Sequence, residues 1–324
     1  MNKLEGKIAL VTGATRGIGK GIAIGLGEAG ATIYITGRSL NSDPEVGGNL
    51  QATCDAVTAA GGKCIPVAVD HSDDTAVERL FQRIAQEQNG QLDILVNNVY
   101  GGVKALRNNQ GKPFWEGELN LWDACNNVGL RSHYITSYYA AKMMTPRKQG
   151  LICTISSWGG MSYIFGAAYG AGKAACDRLA ADMAVELQPY NVTSISLWPG
   201  IVGTEHITQL AQEIKNQGDT TPQNSGISEG YNWETPLLTG RAIAALATEP
   251  NLIRYTGTTQ IVAELARRYN ILDVEGNQPV SLRSLRFLLP LTLPTLRNYA
   301  QFIPDIYIPW FLLLLTALKS PKIG

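Results

Sequence analysis

Short apolar segments without polar alternation recur along this chain, and each is followed by a segment whose apolar residues have helical spacing. Ile8–Val11 and Thr32–Thr36 are the first two, and a helix is predicted between them over Ile18–Ala29. A strand that is apolar on both faces must be covered on both sides, as strands of parallel sheets are. The pattern therefore predicts an α/β protein with a doubly wound parallel sheet.

The same alternation continues through most of the chain. Further helices are predicted over 49–60, 74–88, about 119–144, 167–187 and 238–248, and further strands over 63–69, 94–97, 151–156, 193–197 and about 258–262. We predict a single Rossmann domain over 1–265, followed by a hydrophobic C-terminal extension over 266–324. Ligands of such sheets bind at the carboxyl ends of the strands, so candidate site residues are expected there.

Composition and charge exclude several classes of protein. Apolar residues make up 45% of the chain, and the 27 Lys and Arg residues balance the 27 Asp and Glu residues. This argues against disorder and gives no electrostatic footprint for nucleic acid. Five scattered cysteines and three histidines without metal-like partners predict neither a disulfide scaffold nor a metal site. Without an apolar leader after MNKLEGK, a cytoplasmic protein is expected.

A Gly-rich sequence, TGATRGIG, directly follows the first strand at Thr12–Gly19. Glycines permit a tight turn and close approach of the backbone to a pyrophosphate, while the next helix directs its N–H groups at the phosphates. The end of the second strand bears on the type of dinucleotide. Gly37 stands where a carboxylate would bind a free ribose 2′-hydroxyl, and Arg38 follows it. A guanidinium matches a 2′-phosphate, and Arg16 adds positive charge, so NADP(H) is predicted; a solvated surface arginine is the alternative for Arg38.

Tyr169 and Lys173 are four residues apart and share one face of the helix predicted over 167–187. A nearby ammonium favours the phenolate and lowers the pKa of a tyrosine, which suits a general acid or base at an alcohol or carbonyl oxygen. Ser156 and Ser157 end the preceding strand, where a hydroxyl can hydrogen-bond the same oxygen. These residues predict a site for hydride transfer to or from a carbonyl or alcohol.

Together these motifs resemble the short-chain dehydrogenase/reductase family from about Lys7 to Val262. TGATRGIG is similar to the family's Gly-rich turn, YGAGK to its Tyr–Lys pair, and PGIVGT to its segment beside the nicotinamide. The resemblance implies that Tyr169 is the catalytic acid or base and that Lys173 lowers its pKa and holds the nicotinamide ribose. Ser157 would orient the substrate oxygen, with Ser156 as the alternative.

The resemblance also implies the residues that contact the cofactor. Asp70 would contact adenine, Asn97 and Asn98 would lie beside the cofactor, and Ile201 and Thr204 would contact the carboxamide side. The full predicted set is Gly13, Thr15, Arg16, Gly17, Ile18, Gly19, Arg38, Asp70, Asn97, Tyr169, Lys173, Pro199, Ile201 and Thr204.

Two departures from the family pattern affect the predicted site. The family's NNAG reads NNVY here, ending at Tyr100, which makes one wall bulkier. The family asparagine that holds a proton-relay water aligns with Gly129, while Asn126 and Asn127 lie earlier on the predicted helix and point elsewhere. The relay is therefore in question, and Gly129→Asn is expected to restore a water-holding amide if the relay is simply missing.

The residues and the resemblance predict an NADP(H)-dependent oxidoreductase of the carbonyl reductase type, acting on a small carbonyl or alcohol substrate. An apolar substrate body is expected because Met161, Tyr163, Ile164 and Phe165 lie where the family builds its pocket. A dinucleotide-binding scaffold or redox sensor with little turnover is the alternative, since Gly129 departs from the pattern. Family members are commonly oligomers, so a homo-oligomer is expected.

Two segments interrupt the alternation. Residues 203–236 are polar and too long for an ordinary connection, which predicts either a lid over the substrate or surface disorder. The apolar stretch 306–318 has about 13 residues, short of the ~20 that span a bilayer, and a helix is predicted to start at Pro309. This stretch is expected to pack on its own domain, on a partner subunit or, peripherally, on a membrane.

Overall fold

The computed structural model describes residues 3–38, 48–218 and 227–317. Its strands are β1 (Ile8–Val11), β2 (Thr32–Gly37), β3 (Lys63–Ala68), β4 (Ile94–Asn97), β5 (Gly150–Ile155), β6 (Val192–Trp198), β7 (Ile201–Val202), β8 (Trp233–Glu234) and β9 (Thr259–Ile261). Its α-helices are α1 (Gly17–Glu28), α2 (Leu50–Ala59), α3 (Asp74–Glu87), α4 (Val103–Asn108), α5 (Asn120–Asn126), α6 (Ser132–Met144), α7 (Ala167–Leu187), α8 (Glu205–Gln217), α9 (Pro236–Ala247), α10 (Val262–Arg268), α11 (Leu285–Thr292) and α12 (Trp310–Ala317).

Seven of the strands form one parallel sheet in the order β3-β2-β1-β4-β5-β6-β9. The chain runs outward from β1 to β3 and then crosses back to β4, which is the topology of a doubly wound sheet. One apolar core lies under α1, α2 and α9, and a second lies under α3 and α6 on the opposite face. The predicted fold class is confirmed, and the reversal between β1 and β4 places a crevice at their carboxyl ends.

Helices α1 and α9 approach each other at backbone distance. A Cβ on Gly21 would lie 2.2 Å from the carbonyl of Pro236, and a Cβ on Gly25 would lie 2.5 Å from the carbonyl carbon of Gly240. Larger residues would therefore force the two helices apart. The glycines of α1 thus fix the helix that follows the Gly-rich turn.

Two predicted segments differ from the structure. The helix predicted over about 119–144 is divided into α5 and α6 by a π-helical turn, Asn127–Arg131. The segment 203–236 begins with α8, so surface disorder is wrong for residues 205–217. Its N-terminus is capped by Thr204, and Ala211 and Ile214 are buried. The prediction gave more weight to the polar composition of this segment than to the helical spacing of its apolar residues. Residues 219–226 lie outside the part of the chain that the structure describes.

One disulfide bond joins Cys54 of α2 to Cys64 of β3, while Cys125, Cys153 and Cys176 are buried free thiols. The spacing of the cysteines excluded a scaffold of several bridges but did not predict this single bond between neighbouring elements. The cytoplasmic location expected from the sequence stays a prediction.

The C-terminal extension packs against the domain along its inner side. Leu282 and Phe287 are buried together with Trp198, and Arg283 donates two hydrogen bonds to Glu264 of α10, at 2.6 and 2.9 Å. Helix α12 begins directly after Pro309, as predicted. Its exposed side chains are Phe311, Leu312, Leu314 and Leu315. In the described part of the chain, no helix has the length and apolarity to cross a membrane; contact with a subunit or membrane surface stays a prediction.

Candidate active site

Tyr169 and Lys173 lie in the first two turns of α7, beside the carboxyl end of β5. The Tyr169 hydroxyl donates a hydrogen bond to Ser157 Oγ at 2.9 Å. Lys173 Nζ donates to the Ile155 carbonyl at 3.0 Å and lies 5.9 Å from the centre of the Tyr169 ring. Lys173 is only 8% exposed. The structure therefore brings the three predicted catalytic residues together.

The two serines at the end of β5 have different partners. Ser156 is buried, and its Oγ donates to the Lys173 carbonyl at 3.0 Å. Ser157 Oγ accepts from the Gly159 N–H at 3.0 Å and from the Tyr169 hydroxyl. Ser156 thus supports helix α7, and Ser157 is the serine whose hydroxyl meets Tyr169.

Asp177, which was not predicted from the sequence, lies on the same helix and ties it to β6. It lies one turn beyond Lys173, and its carboxylate accepts hydrogen bonds from Trp198 Nε1 at 2.9 Å and from the Ser196 hydroxyl. Burial raises the pKa of this carboxyl despite these hydrogen bonds. The signal was present in the sequence, since Tyr169, Lys173 and Asp177 repeat every four residues on one helical face.

The Gly-rich turn has the shape that a pyrophosphate requires. Gly13 and Gly17 have positive φ of 69° and 54°, and a Cβ on Gly19 would lie 2.3 Å from the Gly13 carbonyl oxygen. The first turn of α1, which begins at Gly17, contains no acidic residue. The side chain of the N-cap residue Arg16 makes no capping hydrogen bond to this turn. The backbone N–H groups at this terminus therefore suit a phosphate anion.

The segment that follows β6 covers this turn. Pro199 is buried, Ile201 pairs with Trp233 in the short parallel ribbon of β7 and β8, and Thr204 caps α8. A Cβ on Gly17 would lie 3.2 Å from Thr204 Cγ2. The predicted residues at 199–204 therefore lie on the same side of the crevice as the turn.

Asn97 and Asn98 face different elements. The fully buried Asn97 donates to Ser137 Oγ at 2.8 Å and accepts from Thr136 Oγ1 at 2.6 Å, so its amide is bound to α6. Asn98 Nδ2 donates to the carbonyls of Thr12 and Gly13, both at 2.9 Å. Asn98 thus holds the Gly-rich turn, whereas the Asn97 amide faces α6, and binding of the cofactor at Asn97 stays a prediction.

The end of β2 has no room for an acidic side chain. A Cβ on Gly37 would lie 2.5 Å from Thr15 Cγ2. Arg38 is exposed, and its charge helps the Ser72 hydrogen bonds to hold the pKa of Asp70 below the usual range of a carboxyl. Arg38 and Asp70 therefore lie near each other at the carboxyl ends of β2 and β3, where the adenine end of the cofactor is predicted to bind.

The two departures from the family pattern are coupled in space. A Cβ on Gly129 would lie 2.6 Å from Cδ2 of Tyr100. The expectation that Gly129→Asn restores a proton relay is wrong on this geometry, because the new side chain would collide with the Tyr100 ring. Asn126 does not point away from the site as predicted, since its Nδ2 donates to the Ala168 carbonyl at 3.3 Å, next to Tyr169.

Aromatic side chains form the side of the site opposite the Gly-rich turn. The Phe165 ring meets the Tyr169 ring edge to face at 5.3 Å. Trp158, which follows Ser157, packs on Trp198, and Trp198 packs on Trp310 of α12, each pair at 5.9 Å between ring centres. The C-terminal extension thus contributes to the layer behind the serine. Of the other predicted pocket residues, Met161 packs against this layer and Tyr163 is exposed.

Comparisons with known proteins agree with this geometry. The family model for short chain dehydrogenase matches residues 7–215. The chain is 45% identical over 288 residues to dehydrogenase/reductase SDR family member 1 of Homo sapiens, covering 88% of this chain and 89% of that protein. Its identity to the Mus musculus protein of the same name is 43% over 287 residues, with the same coverage of each.

A solved metagenomic short-chain oxidoreductase in complex with NADP has a similar structure. The two chains share 27% identity with a TM-score of 0.61, over 79% of this chain and 96% of that one. The family match spans the Gly-rich turn and the Tyr–Lys pair, and the two mammalian relatives extend the likeness beyond it. The chain therefore belongs to the short-chain dehydrogenase/reductase family of oxidoreductases.

Proposed function

We propose that this oxidoreductase transfers a hydride between NADP(H) and a carbonyl or alcohol substrate with an apolar body. The observation that carries the proposal is the hydrogen bond of 2.9 Å from the Tyr169 hydroxyl to Ser157 Oγ, with Lys173 Nζ on the same helical face. These groups can bind, polarise and protonate one oxygen atom. The aromatic residues beside them favour an apolar substrate body.

The nicotinamide, when bound, supplies the hydride chemistry. In the reduction, Ser157 donates a hydrogen bond to the substrate oxygen, and Tyr169 transfers its proton to that oxygen as negative charge develops. The ammonium of Lys173 favours the phenolate that remains on Tyr169. Hydrogen-bond donors already aimed at a developing oxyanion contribute about 2.7–4 kcal/mol each.

The preference for NADP(H) is supported by the end of β2. An acidic side chain at position 37 would meet Thr15, while Arg38 is exposed at the end of the strand. A guanidinium stabilises a 2′-phosphate by paired charge-assisted hydrogen bonds. The metagenomic relative solved with NADP is consistent with this preference.

A turnover assay tests the proposal. The purified protein is given NADPH or NADH with a panel of aldehydes, ketones, quinones and steroids, and cofactor oxidation is followed by absorbance while cofactor binding is measured separately. We expect oxidation of NADPH with apolar carbonyl substrates. Tight cofactor binding without hydride transfer to any compound would favour the scaffold or sensor alternative and overturn the proposal.

A further inference from the structure

The Tyr100 ring is inserted into the active site from the end of β4. Its centre lies 5.2 Å from Lys173 Nζ. The same ring meets the Tyr169 ring edge to face, with 6.1 Å between centres and an interplanar angle of 90°. Tyr100 therefore contacts both members of the proposed catalytic pair, although the motif from which it departs ends in glycine.

Two glycines form the slot that holds this ring. A Cβ on Gly129 would lie 2.6 Å from Cδ2, and a Cβ on Gly102 would lie 2.6 Å from the hydroxyl oxygen. Gly102 has ordinary helical angles, with φ −83° and ψ −4°, and Gly129 lies within the π-helical turn. Glycine is thus required at both positions for space rather than for backbone conformation.

The Tyr100 ring held in this slot is placed to bind a cation. An aromatic face attracts an ammonium within about 6 Å of the ring centre, and more strongly when water is excluded. Lys173 is 8% exposed, and its Nζ also donates a hydrogen bond to the Ile155 carbonyl at 3.0 Å. Burial raises the pKa of the Tyr100 phenol far above its ordinary value, so this phenol stays neutral and does not compete as an acid or base.

We propose that Tyr100 is a positioning residue: its ring, seated between Gly102 and Gly129, holds the Lys173 ammonium against Tyr169 and keeps water out of the gap between them. The effect on turnover rests on the proposed function, whereas the effect on Tyr169 ionisation does not. Without an aromatic face at this position, the ammonium is held less closely and stabilises the Tyr169 phenolate less.

The test compares Tyr100→Leu, which fills the slot without an aromatic face, with Tyr100→Phe, which keeps the face. Ionisation of Tyr169 is followed by ultraviolet difference titration, each protein being measured against its own Tyr169→Phe version. Tyr100→Leu should raise the pKa of Tyr169 by about 0.5–1 unit above that of the native protein. Tyr100→Phe, which keeps the aromatic face, should leave it unchanged. Tyr134→Leu, on the exposed face of α6, is the matched control. An unchanged pKa in Tyr100→Leu, or equal shifts in the Leu and Phe variants, overturns the proposal.

The steric half of the proposal has its own test. Gly129→Ala should displace the ring and reproduce the pKa shift of Tyr100→Leu, and it should add little in a Tyr100→Ala background. Additive shifts in the double variant would show that Gly129 acts independently and would overturn the slot. The titration needs no substrate. A protein without turnover would therefore refute the proposed function, and the titration would still test the role of Tyr100.

Discussion

The two sides of the crevice are built from different kinds of structure. The cofactor side consists mainly of backbone: a Gly-rich turn, the N-terminus of α1 and the close contact of α1 with α9. The substrate side consists of side chains that come from distant parts of the sequence, with Trp158, Trp198 and Trp310 packed in series. A site made of backbone leaves a local glycine pattern, whereas a site made of packed side chains leaves none.

Tyr169 joins the two sides, and its replacement should have the largest effect. Tyr169→Phe keeps the ring but removes the proton that is donated to Ser157 Oγ. We expect reductase turnover to fall by roughly 10²-fold or more with cofactor affinity nearly unchanged. The measurement is kcat with the best carbonyl substrate, alongside a cofactor binding titration.

The matched control is Tyr134→Phe, which makes the same chemical change at a side chain of α6 that is 54% exposed. It should keep normal turnover. Near-normal kcat in Tyr169→Phe would show that another group supplies the proton and that the two sides do not meet at this residue.

The same contrast explains which parts of the molecule could be predicted. The strands and the helix over 167–187 were predicted closely, because β-branched runs and helical spacing are local properties. The π-helical turn at Asn127–Arg131 was missed, because regular periodicity predicts an uninterrupted helix. The slot for Tyr100 was missed although Tyr100 and Gly129 were each noted as departures from the family pattern, because only the folded chain brings them together with Gly102.

The packing of the C-terminal extension is the next test of the substrate side. Trp310→Ala removes the ring that packs on Trp198, and Arg283 also lies over that ring at 5.1 Å. Fully buried aromatic residues cost about 3–5 kcal/mol when replaced by alanine, so the half-buried Trp310 should cost about 2–3 kcal/mol. Urea unfolding measures this loss. The neighbouring Phe311→Ala, at 62% exposed, should have almost no effect, and equal effects would mean that α12 is not anchored through Trp310.

A pH-dependent prediction concerns Glu234, where β8 meets the segment after β6. Glu234 is 2% exposed, and among the described residues its Oε2 has no hydrogen-bond partner. Burial raises the pKa of this carboxyl from 4.5 to about 7. The folded state therefore favours the protonated form, so this contribution to stability is present below pH 4.5 and is lost as pH rises towards 7.

Glu234→Gln should remove that dependence. Relative to the native protein, its Tm should rise as pH increases from about 4.5 to 7, by an amount corresponding to at most about 3 kcal/mol. Burial lowers the pKa of His71 to about 4, which gives the opposite slope in acid, but both proteins share it and it cancels. Glu186→Gln, at an exposed carboxylate of α7, should follow the native curve. A constant difference between native and Glu234→Gln at every pH would contradict the assignment.

The smallest effect is expected at Arg38, on the rim of the cofactor side, where the surface is exposed and screened by solvent. NADPH should bind at least about tenfold tighter than NADH, which corresponds to about 1.4 kcal/mol. Arg38→Ala should remove most of this preference by weakening NADPH alone, because NADH has no 2′-phosphate for the guanidinium to bind. Dissociation constants from fluorescence titration of both cofactors give the ratio, with Arg178→Ala as the control, since Arg178 is 78% exposed on α7 and paired with Asp182. Equal affinity of the native protein for the two cofactors would contradict the role of Arg38. The backbone turn alone would then govern binding on the cofactor side, and the two sides of the crevice would differ even more than we propose.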